Sequence, residues 1–224
     1  MPYIAILLDF LIGASIAVSS VPINAEAAPI TTATIFLANS APLRTVTPTA
    51  AVPDVPFYSQ FRDISATGWQ KLGCGIASLA MIINFYRPGT VSVDKLLKEG
   101  IAAGAYLKNA GWKHRDLALL AGRYGLEGES YDLSRLGMKT AFGRFEETLK
   151  NGPAIASVYY KFDPKSTIPH LVVITGVKDG RVYYNDPAGL AGGKEISVAD
   201  FMKGWKKRFI TIEEPAQKIP LAAM

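Results

Sequence analysis

The residue pattern of this chain changes at Gly152-Pro153. Before that point apolar residues recur at helical spacing, over about 75–86, 92–103, 114–124 and 143–151. After it, β-branched and aromatic runs predict strands over about 154–160, 170–177, 181–185 and 208–213, with one short helix near 198–205. Helices first and strands second favour an α+β fold over a sheet wound from alternating strands and helices.

Residues 75–86 (GIASLAMIINFY) are apolar on nearly every side of a helix, because Ser78 and Asn84 are their only polar side chains. The run therefore predicts a helix buried almost all round. Arg87-Pro88-Gly89 ends it, and Ser92 is a candidate N-cap for the helix that follows.

The length of 224 residues allows one domain of about 150 to 200 residues with flanking segments. The expected organisation is an export signal or short membrane anchor over 1–27, a linker over 28–52, a folded domain over 53–213 and a tail over 214–224. The linker is rich in Ala, Thr and Pro and has almost no charge, as expected outside a core.

The N-terminal segment resembles a signal peptide of bacterial type, since residues 3–19 are apolar except for Asp9 and are followed by Ala25-Glu26-Ala27. Asp9 and the absence of Lys and Arg from the first 43 residues leave an uncleaved anchor or a misplaced start codon as alternatives. We expect an extracytoplasmic protein, secreted or tethered to the membrane.

The net charge of +5 does not indicate a nucleic-acid binder. The one basic cluster, at Lys203, Lys206, Lys207 and Arg208, comes with no aromatic stacking platform and is interpreted as a solvated face.

One cysteine and two distant histidines make no zinc set, and no phosphate-binding loop is present, so no metal or cofactor is expected. The stretch 189–193 (GLAGG) is interpreted as a flexible turn.

Cys74 is the only cysteine and stands where a loop enters the apolar helix. The N-terminus of a helix carries partial positive charge and free N–H groups, which stabilise a thiolate and the oxyanion of acyl transfer. The flanking Gly73 and Gly75 would let a substrate backbone come close. A buried, inert cysteine is the alternative.

His170 opens a strongly apolar strand and is the better candidate for a base. His114 lies in Lys113-His114-Arg115, where positive neighbours disfavour its charged form, and is interpreted as a surface histidine at an exposed helix start. Asp186, in Asn185-Asp186-Pro187, either orients His170 or merely starts a turn.

The hairpin at Lys178-Asp179-Gly180 tests the pairing of His170 with Asp186. A two-residue turn would pair Val173 with Asp186 and separate the two side chains onto opposite faces. A three-residue loop with a bulge at Gly180 would pair Val172 with Asp186 and bring His170 and Asp186 to one face. The sequence accepts either turn, and catalysis is expected to require the second.

Four motifs follow one another along the chain: 55–60 (VPFYSQ), 73–81 (GCGIASLAM), 170–176 (HLVVITG) and 182–187 (VYYNDP). In these the chain resembles the papain-like cysteine peptidases related to bacteriocin leader-processing (double-glycine) peptidase domains. The resemblance implies a papain-like fold, with the helix of the nucleophile packed on an antiparallel sheet, and hydrolysis of a peptide or protein substrate by Cys74, His170 and Asp186.

The resemblance also implies an oxyanion-hole glutamine, for which Gln60 matches the motif and Gln70, four residues before Cys74, is a competitor. Leader-processing peptidases are commonly fused to a transporter, and these 224 residues contain no transporter module, so a bacteriocin leader is not expected as the substrate. Two other functions stay open: an amide hydrolase or acyl transferase acting on cell-wall peptides, and an inactive peptide-binding module on the same fold.

Overall fold

The computed structural model describes residues 52–108 and 110–216 of the chain. The expected export segment over 1–27, the linker as far as residue 51 and the tail from residue 217 lie outside the described residues. In the described part of the chain, no helix combines the length and apolar character needed to cross a membrane.

Six α-helices are present in the described residues. They are α1 (Thr67–Gln70), α2 (Cys74–Tyr86), α3 (Val93–Ala102), α4 (His114–Ala121), α5 (Met138–Thr148) and α6 (Val198–Gly204). Ser92 caps α3 as predicted, because its hydroxyl accepts the backbone N–H of Lys95.

The strands follow mainly in the second half of the chain. A small hairpin is formed by β1 (Tyr106–Leu107) and β2 (Gly111–Trp112). The main sheet contains β3 (Glu127–Asp132), β4 (Ala154–Tyr159), β5 (Pro169–Lys178), β6 (Arg181–Asn185), β7 (Lys194–Ser197) and β8 (Trp205–Glu213). Its order is β3-β8-β4-β5-β6-β7, and every neighbouring pair is antiparallel.

The sheet separates two apolar layers, because alternate residues of its central strands point to opposite faces. Ile155, Leu171 and Val173 belong to the cluster that includes α2, α3 and α4. Ala156 and Val172 belong to a second cluster, which includes the aromatic residues of α5, α6 and β8. The α+β class and the buried helix packed on an antiparallel sheet are thus confirmed.

The predicted bounds are close for most elements, and the differences have local causes. α5 begins at Met138, five residues before the predicted start at Gly143, because the loop before it lacks a cap signal. The hairpin of β1 and β2, the edge strands β3 and β7 and the single-turn helix α1 were not predicted. β3 alternates Glu, Ser and Asp with few apolar residues, so its pattern carries little strand signal.

Candidate active site

Cys74 is the first residue of α2, at the bottom of a cleft beside the sheet. The next ten residues of the helix are all buried, so the nucleophile candidate stands on a rigid support. The first N–H groups of an α-helix have no intrahelical acceptor, and at this end of α2 no side chain caps them. A negative charge at Cys74 would therefore be stabilised by these donors and by the helix dipole.

The two glycines beside Cys74 are required by packing, which differs from the expectation that they admit a substrate backbone. A Cβ at Gly73 would overlap Cδ1 of Ile64 and lie 3.3 Å from the carbonyl oxygen of Trp69. A Cβ at Gly75 would lie 2.9 Å from Cδ1 of Leu117 and 2.9 Å from Cδ1 of Trp112. The glycines thus let neighbouring side chains close around the start of α2.

Gly75→Ala is expected to lower the free energy of unfolding by about 1–3 kcal/mol, because its methyl group overpacks against two buried side chains. Gly143→Ala is the matched control, since Gly143 is exposed on α5 and an added Cβ there meets nothing within 4 Å. The control should stabilise the protein by about 0.5–1 kcal/mol. Urea denaturation of both variants checks the opposite signs, and equal effects would contradict this account of Gly75.

His170 and Asp186 are brought together by the hairpin of β5 and β6. The turn contains two residues, Asp179 and Gly180, with φ of 50° and 73°, and it pairs Lys178 with Arg181. Positive φ at both central residues is typical of a type I′ turn. Continued without interruption, this pairing would have separated His170 from Asp186.

A β-bulge at Thr175 changes the register of the same hairpin. Ile174 pairs with Tyr184 and Gly176 with Tyr183, which leaves Thr175 as an extra residue in β5. Beyond the bulge Val173 pairs with Asn185, and one further step places Val172 opposite Asp186. The expectation that catalysis requires a three-residue loop was therefore wrong, because the bulge produces the same register.

His170 Nε2 lies 2.7 Å from Asp186 Oδ1, and the imidazole is only 4% exposed. The same carboxylate oxygen accepts the backbone N–H of Ala188 at 2.9 Å. Asp186 thus starts a turn and contacts His170 at once, so the two roles considered from the sequence are compatible. Because Asp186 occupies Nε2, the ring nitrogen left for Cys74 is Nδ1.

The charges at this site stabilise one another. Burial acts to lower the pKa of His170, but its hydrogen bonds to Asp186 and Cys74 outweigh burial and raise the pKa to about 9. Burial acts to raise the pKa of Asp186, but the hydrogen bond and charge of His170 and the N–H of Ala188 hold it below its usual value. At neutral pH His170 is therefore protonated and Asp186 ionised.

Gln60 and Gln70 differ in what their amide groups can still bind. Both side-chain contacts of Gln70 Nε2 go to backbone carbonyls, those of Phe61 at 3.0 Å and Ile64 at 2.9 Å. Gln60 Nε2 donates to the carbonyl of Gln70 at 2.8 Å, which uses one of its two hydrogens. Gln60 is also buried and close to Gly73, at the entry to α2. Only Gln60 keeps a hydrogen for an oxyanion.

The segment 55–60 is held by hydrogen bonds to the end of β6 and the loop that follows it. Gln60 N–H donates to the carbonyl of Pro187 at 2.8 Å. The fully buried hydroxyl of Ser59 lies 3.1 Å from the carbonyl oxygen of Gly189, and Asn185 Nδ2 donates to Val55 at 3.0 Å. These bonds fix the first and last motifs of the sequence against each other.

The cleft beside Cys74 and His170 has a volume of about 270 Å³. One wall comes from α4 and the β1–β2 hairpin, and the other from β4 and β5; the lining includes Leu72, Tyr106, Trp112, Ser157, Ile168 and Leu171. Trp112 is fixed by its Nε1–H, which donates to the carbonyl of Leu72 at 2.6 Å. The sequence did not identify these lining residues, because they are scattered along the chain.

His114 begins α4, as predicted, but it lines the cleft and is half-buried instead of lying on an exposed surface. Burial lowers its pKa, and the charges of Arg208 and Lys206 lower it further against the opposing charge of Asp132. The predicted direction is therefore right, while the cations responsible lie on β8. Their proximity to His114 could not be read from its own neighbours in the sequence.

In the described part of the chain no three His, Cys, Asp or Glu side chains gather where they could hold a metal ion. The groups that do converge are the thiol of Cys74 in the first turn of α2, the imidazole of His170 on β5, the carboxylate of Asp186 directly after β6, and the buried amide of Gln60 in a turn. That arrangement suits nucleophilic attack on a carbonyl followed by proton transfer to a leaving group.

Comparison with known proteins agrees with this architecture. A sequence model of the Peptidase_C39 like family matches residues 52–214. No curated protein matches the chain.

Two solved structures share the fold. A double glycine motif protease from an AMS/PCAT transporter, solved in complex with the leader peptide, is 24% identical, with 75% of this chain and 96% of that chain covered and a TM-score of 0.52. A putative C39-like peptidase from Bacillus anthracis is 18% identical, with 74% and 98% covered and a TM-score of 0.56. At these identities the two structures establish the papain-like peptidase fold.

Proposed function

The chain belongs to the Peptidase_C39 like family, and from the groups that converge on its cleft we propose that it hydrolyses peptide bonds with Cys74 as the nucleophile. The observation that carries the proposal is the buried imidazole of His170, which contacts Asp186 through Nε2 and lines the same cleft as Cys74. A protonated histidine buried between an aspartate and a thiol is the arrangement that an activated cysteine requires.

In the first half of the reaction the Cys74 thiolate attacks the carbonyl carbon of the scissile bond. The tetrahedral intermediate collapses when His170 gives its Nδ1 proton to the leaving amine, which breaks the C–N bond and leaves a thioester on Cys74. Neutral His170 then takes a proton from water, and the hydroxide attacks the thioester. The carboxylic acid product leaves, and the thiolate and imidazolium are restored.

The oxyanion of each tetrahedral intermediate is assigned to two donors, the backbone N–H of Cys74 and the free hydrogen of Gln60 Nε2. Preorganised donors of this kind stabilise charge that develops only in the transition state. Gln60 suits the role because its amide is buried and already oriented by the carbonyl of Gln70.

Gln60→Ala is expected to lower kcat by about 10²- to 10³-fold with little change in KM, because the lost donor acts on the transition state. Gln70→Ala is the matched control, since its amide holds only the loop carbonyls of Phe61 and Ile64. Steady-state kinetics on one peptide substrate compare the two. A larger loss of kcat in Gln70→Ala would transfer the oxyanion role to Gln70.

A peptide substrate is supported by the relative that was solved with a leader peptide in place. Cell-wall amides are the competing substrate class, because a Cys-His-Asp site can cleave either. The test is to incubate the purified protein with a peptide library and with peptidoglycan, and to identify new termini by mass spectrometry. Cleavage of library peptides supports the proposal, whereas release of cell-wall fragments alone would overturn it.

A further inference from the structure

A second cavity shares one lining residue, His114, with the cavity beside Cys74. This second cavity has a volume of about 330 Å³, and its other walls are Ser130, Tyr131, Asp132 and Arg208. Arg208 also lines a third cavity, together with Tyr159 and Lys206. Shared lining residues thus relate three neighbouring cavities between Cys74 and the beginning of β8, and we call them together the lateral groove.

A bulge in β8 places two lysines beside the lateral groove. Ser157 of β4 pairs with Arg208, but the next residue of β4, Val158, pairs with Trp205. Lys206 and Lys207 are therefore extra residues, and Lys207 has a φ of 57°. Ser157 itself lines the cavity beside Cys74, and opposed residues of antiparallel strands have Cα atoms about 5 Å apart. The cations of β8 are thus one strand away from the cleft wall.

The basic residues of this region are not equally engaged. Lys207 Nζ donates to the carbonyls of Ser134 and Leu136, and Lys203 pairs with Asp200 at 2.8 Å. Arg208 pairs with Asp132 through Nε alone, at 2.8 Å. Lys206 forms no salt bridge with any carboxylate of the described residues, and its ammonium lies 4.7 Å from the centroid of the Tyr159 ring.

The lateral groove therefore has an excess of positive charge at the far side of His114. Burial lowers the pKa of Lys206, and the charge of Arg208 lowers it further, so the two cations repel each other. Both also act on His114, whose imidazole is consequently neutral at pH 7. Asp132 offsets one charge, but it is already bound to Arg208 and to the N–H of Ser134. A carboxylate from outside would relieve this repulsion.

We propose that Lys206 and Arg208 form a subsite in the lateral groove for an acidic side chain, Asp or Glu, of the peptide that Cys74 cleaves. The inference rests on the proposed function for the identity of the ligand as a peptide. A carboxylate there accepts a hydrogen bond from the Lys206 ammonium and from the terminal N–H groups of Arg208, which its bond to Asp132 leaves free. The solvated face predicted from the sequence thus becomes part of the substrate site.

The test uses fluorescein-labelled peptides in which Glu, Gln or Lys occupies one position at a time. Their binding to the full chain carrying Cys74→Ala is measured by fluorescence anisotropy. We expect a position at which the Glu peptide binds about three- to tenfold more tightly than the Gln peptide, with the preference reduced by added salt. A second substitution in the Cys74→Ala chain tests the subsite. Lys206→Gln should remove the preference for the Glu peptide, and Lys206→Glu should reverse it in favour of the Lys peptide.

The control adds Lys150→Gln, because Lys150 is an exposed lysine that lines a different cavity, beside Gly176. It should leave the preference unchanged. The inference is overturned if Glu binds no more tightly than Gln at every position, or if Lys206→Gln keeps the preference.

Cleavage and binding measurements together distinguish an error in the proposed subsite from an error in the proposed hydrolysis. If the wild-type protein cleaves peptides without preferring acidic ones, hydrolysis stands and the subsite is wrong. If it cleaves no peptide but binds Glu peptides selectively through Lys206, the subsite stands and the proposed hydrolysis is wrong.

Discussion

Replacing Cys74 with alanine should lower kcat/KM for peptide hydrolysis by about 10⁴-fold or more, because it removes the only thiol of the chain, on which the covalent intermediate forms. Peptide binding should persist, since the cleft walls come from α4, the β1–β2 hairpin, β4 and β5. Steady-state kinetics measure the loss, and fluorescence anisotropy with a labelled peptide measures the binding.

The control for Cys74→Ala is chemical, because Cys74 is the only thiol in the chain. Iodoacetamide should add one carbamidomethyl group to the wild-type protein, inactivate it in proportion to labelling, and add none to Cys74→Ala. If the variant keeps the activity of the wild-type protein, or if complete alkylation leaves activity unchanged, Cys74 is not the nucleophile.

The second large effect is expected at Asp186. His170 owes its pKa of about 9 to its hydrogen bonds with Asp186 and Cys74, which outweigh the opposing effect of burial. In Asp186→Ala one of these partners is gone, so the pKa of His170 should fall and less imidazolium should be present at neutral pH. We expect kcat/KM at pH 7 to fall by about 10²- to 10⁴-fold.

The pH profile distinguishes this explanation from a general loss of structure. His170 is protonated below its pKa and neutral above it, so the basic limb of kcat/KM should lie near pH 9 in the wild-type protein. Asp186→Ala should move that limb to lower pH. Asp186→Asn, which keeps an acceptor oxygen but removes the charge, should move it less. A loss of activity with an unmoved limb would show that Asp186 supports the loop and does not tune His170.

Much of the fold could be predicted because the pattern of each element is local. The run over 75–86 is apolar on all sides, and the structure buries every residue from Gly75 to Asn84. The change at Gly152-Pro153 separates most of the helices from most of the main sheet, although the short hairpin of β1 and β2 and the edge strand β3 lie before it, and β7 was also missed. β3 and β7 are the edge strands of the sheet, where one side of the backbone meets no neighbouring strand and burial no longer selects an apolar pattern.

The sequence indicated which candidate residues to look for, but not how they are arranged. Cys74, His170 and Asp186 were identified from their types and their places in the motifs, and His170 and Asp186 lie 2.7 Å apart. The hairpin has the two-residue turn, which by itself would separate His170 from Asp186. The bulge at Thr175 shifts the register by one residue and brings the two side chains to the same face. A bulge depends on how β4, β5 and β6 pair and pack together, so the sequence of one strand does not predict it.

The sequence by itself determined the class of fold, the buried helix beside Cys74 and the order of the four motifs, because periodicity and side-chain chemistry act between residues close in the chain. Only the tertiary structure decided three other features: the register of His170 and Asp186, the acceptors that the amides of Gln60 and Gln70 already bind, and the proximity of His114 to Lys206 and Arg208. Each of these depends on contacts between segments far apart in the chain, where packing, burial and electrostatic interactions are fixed only once the strands have paired.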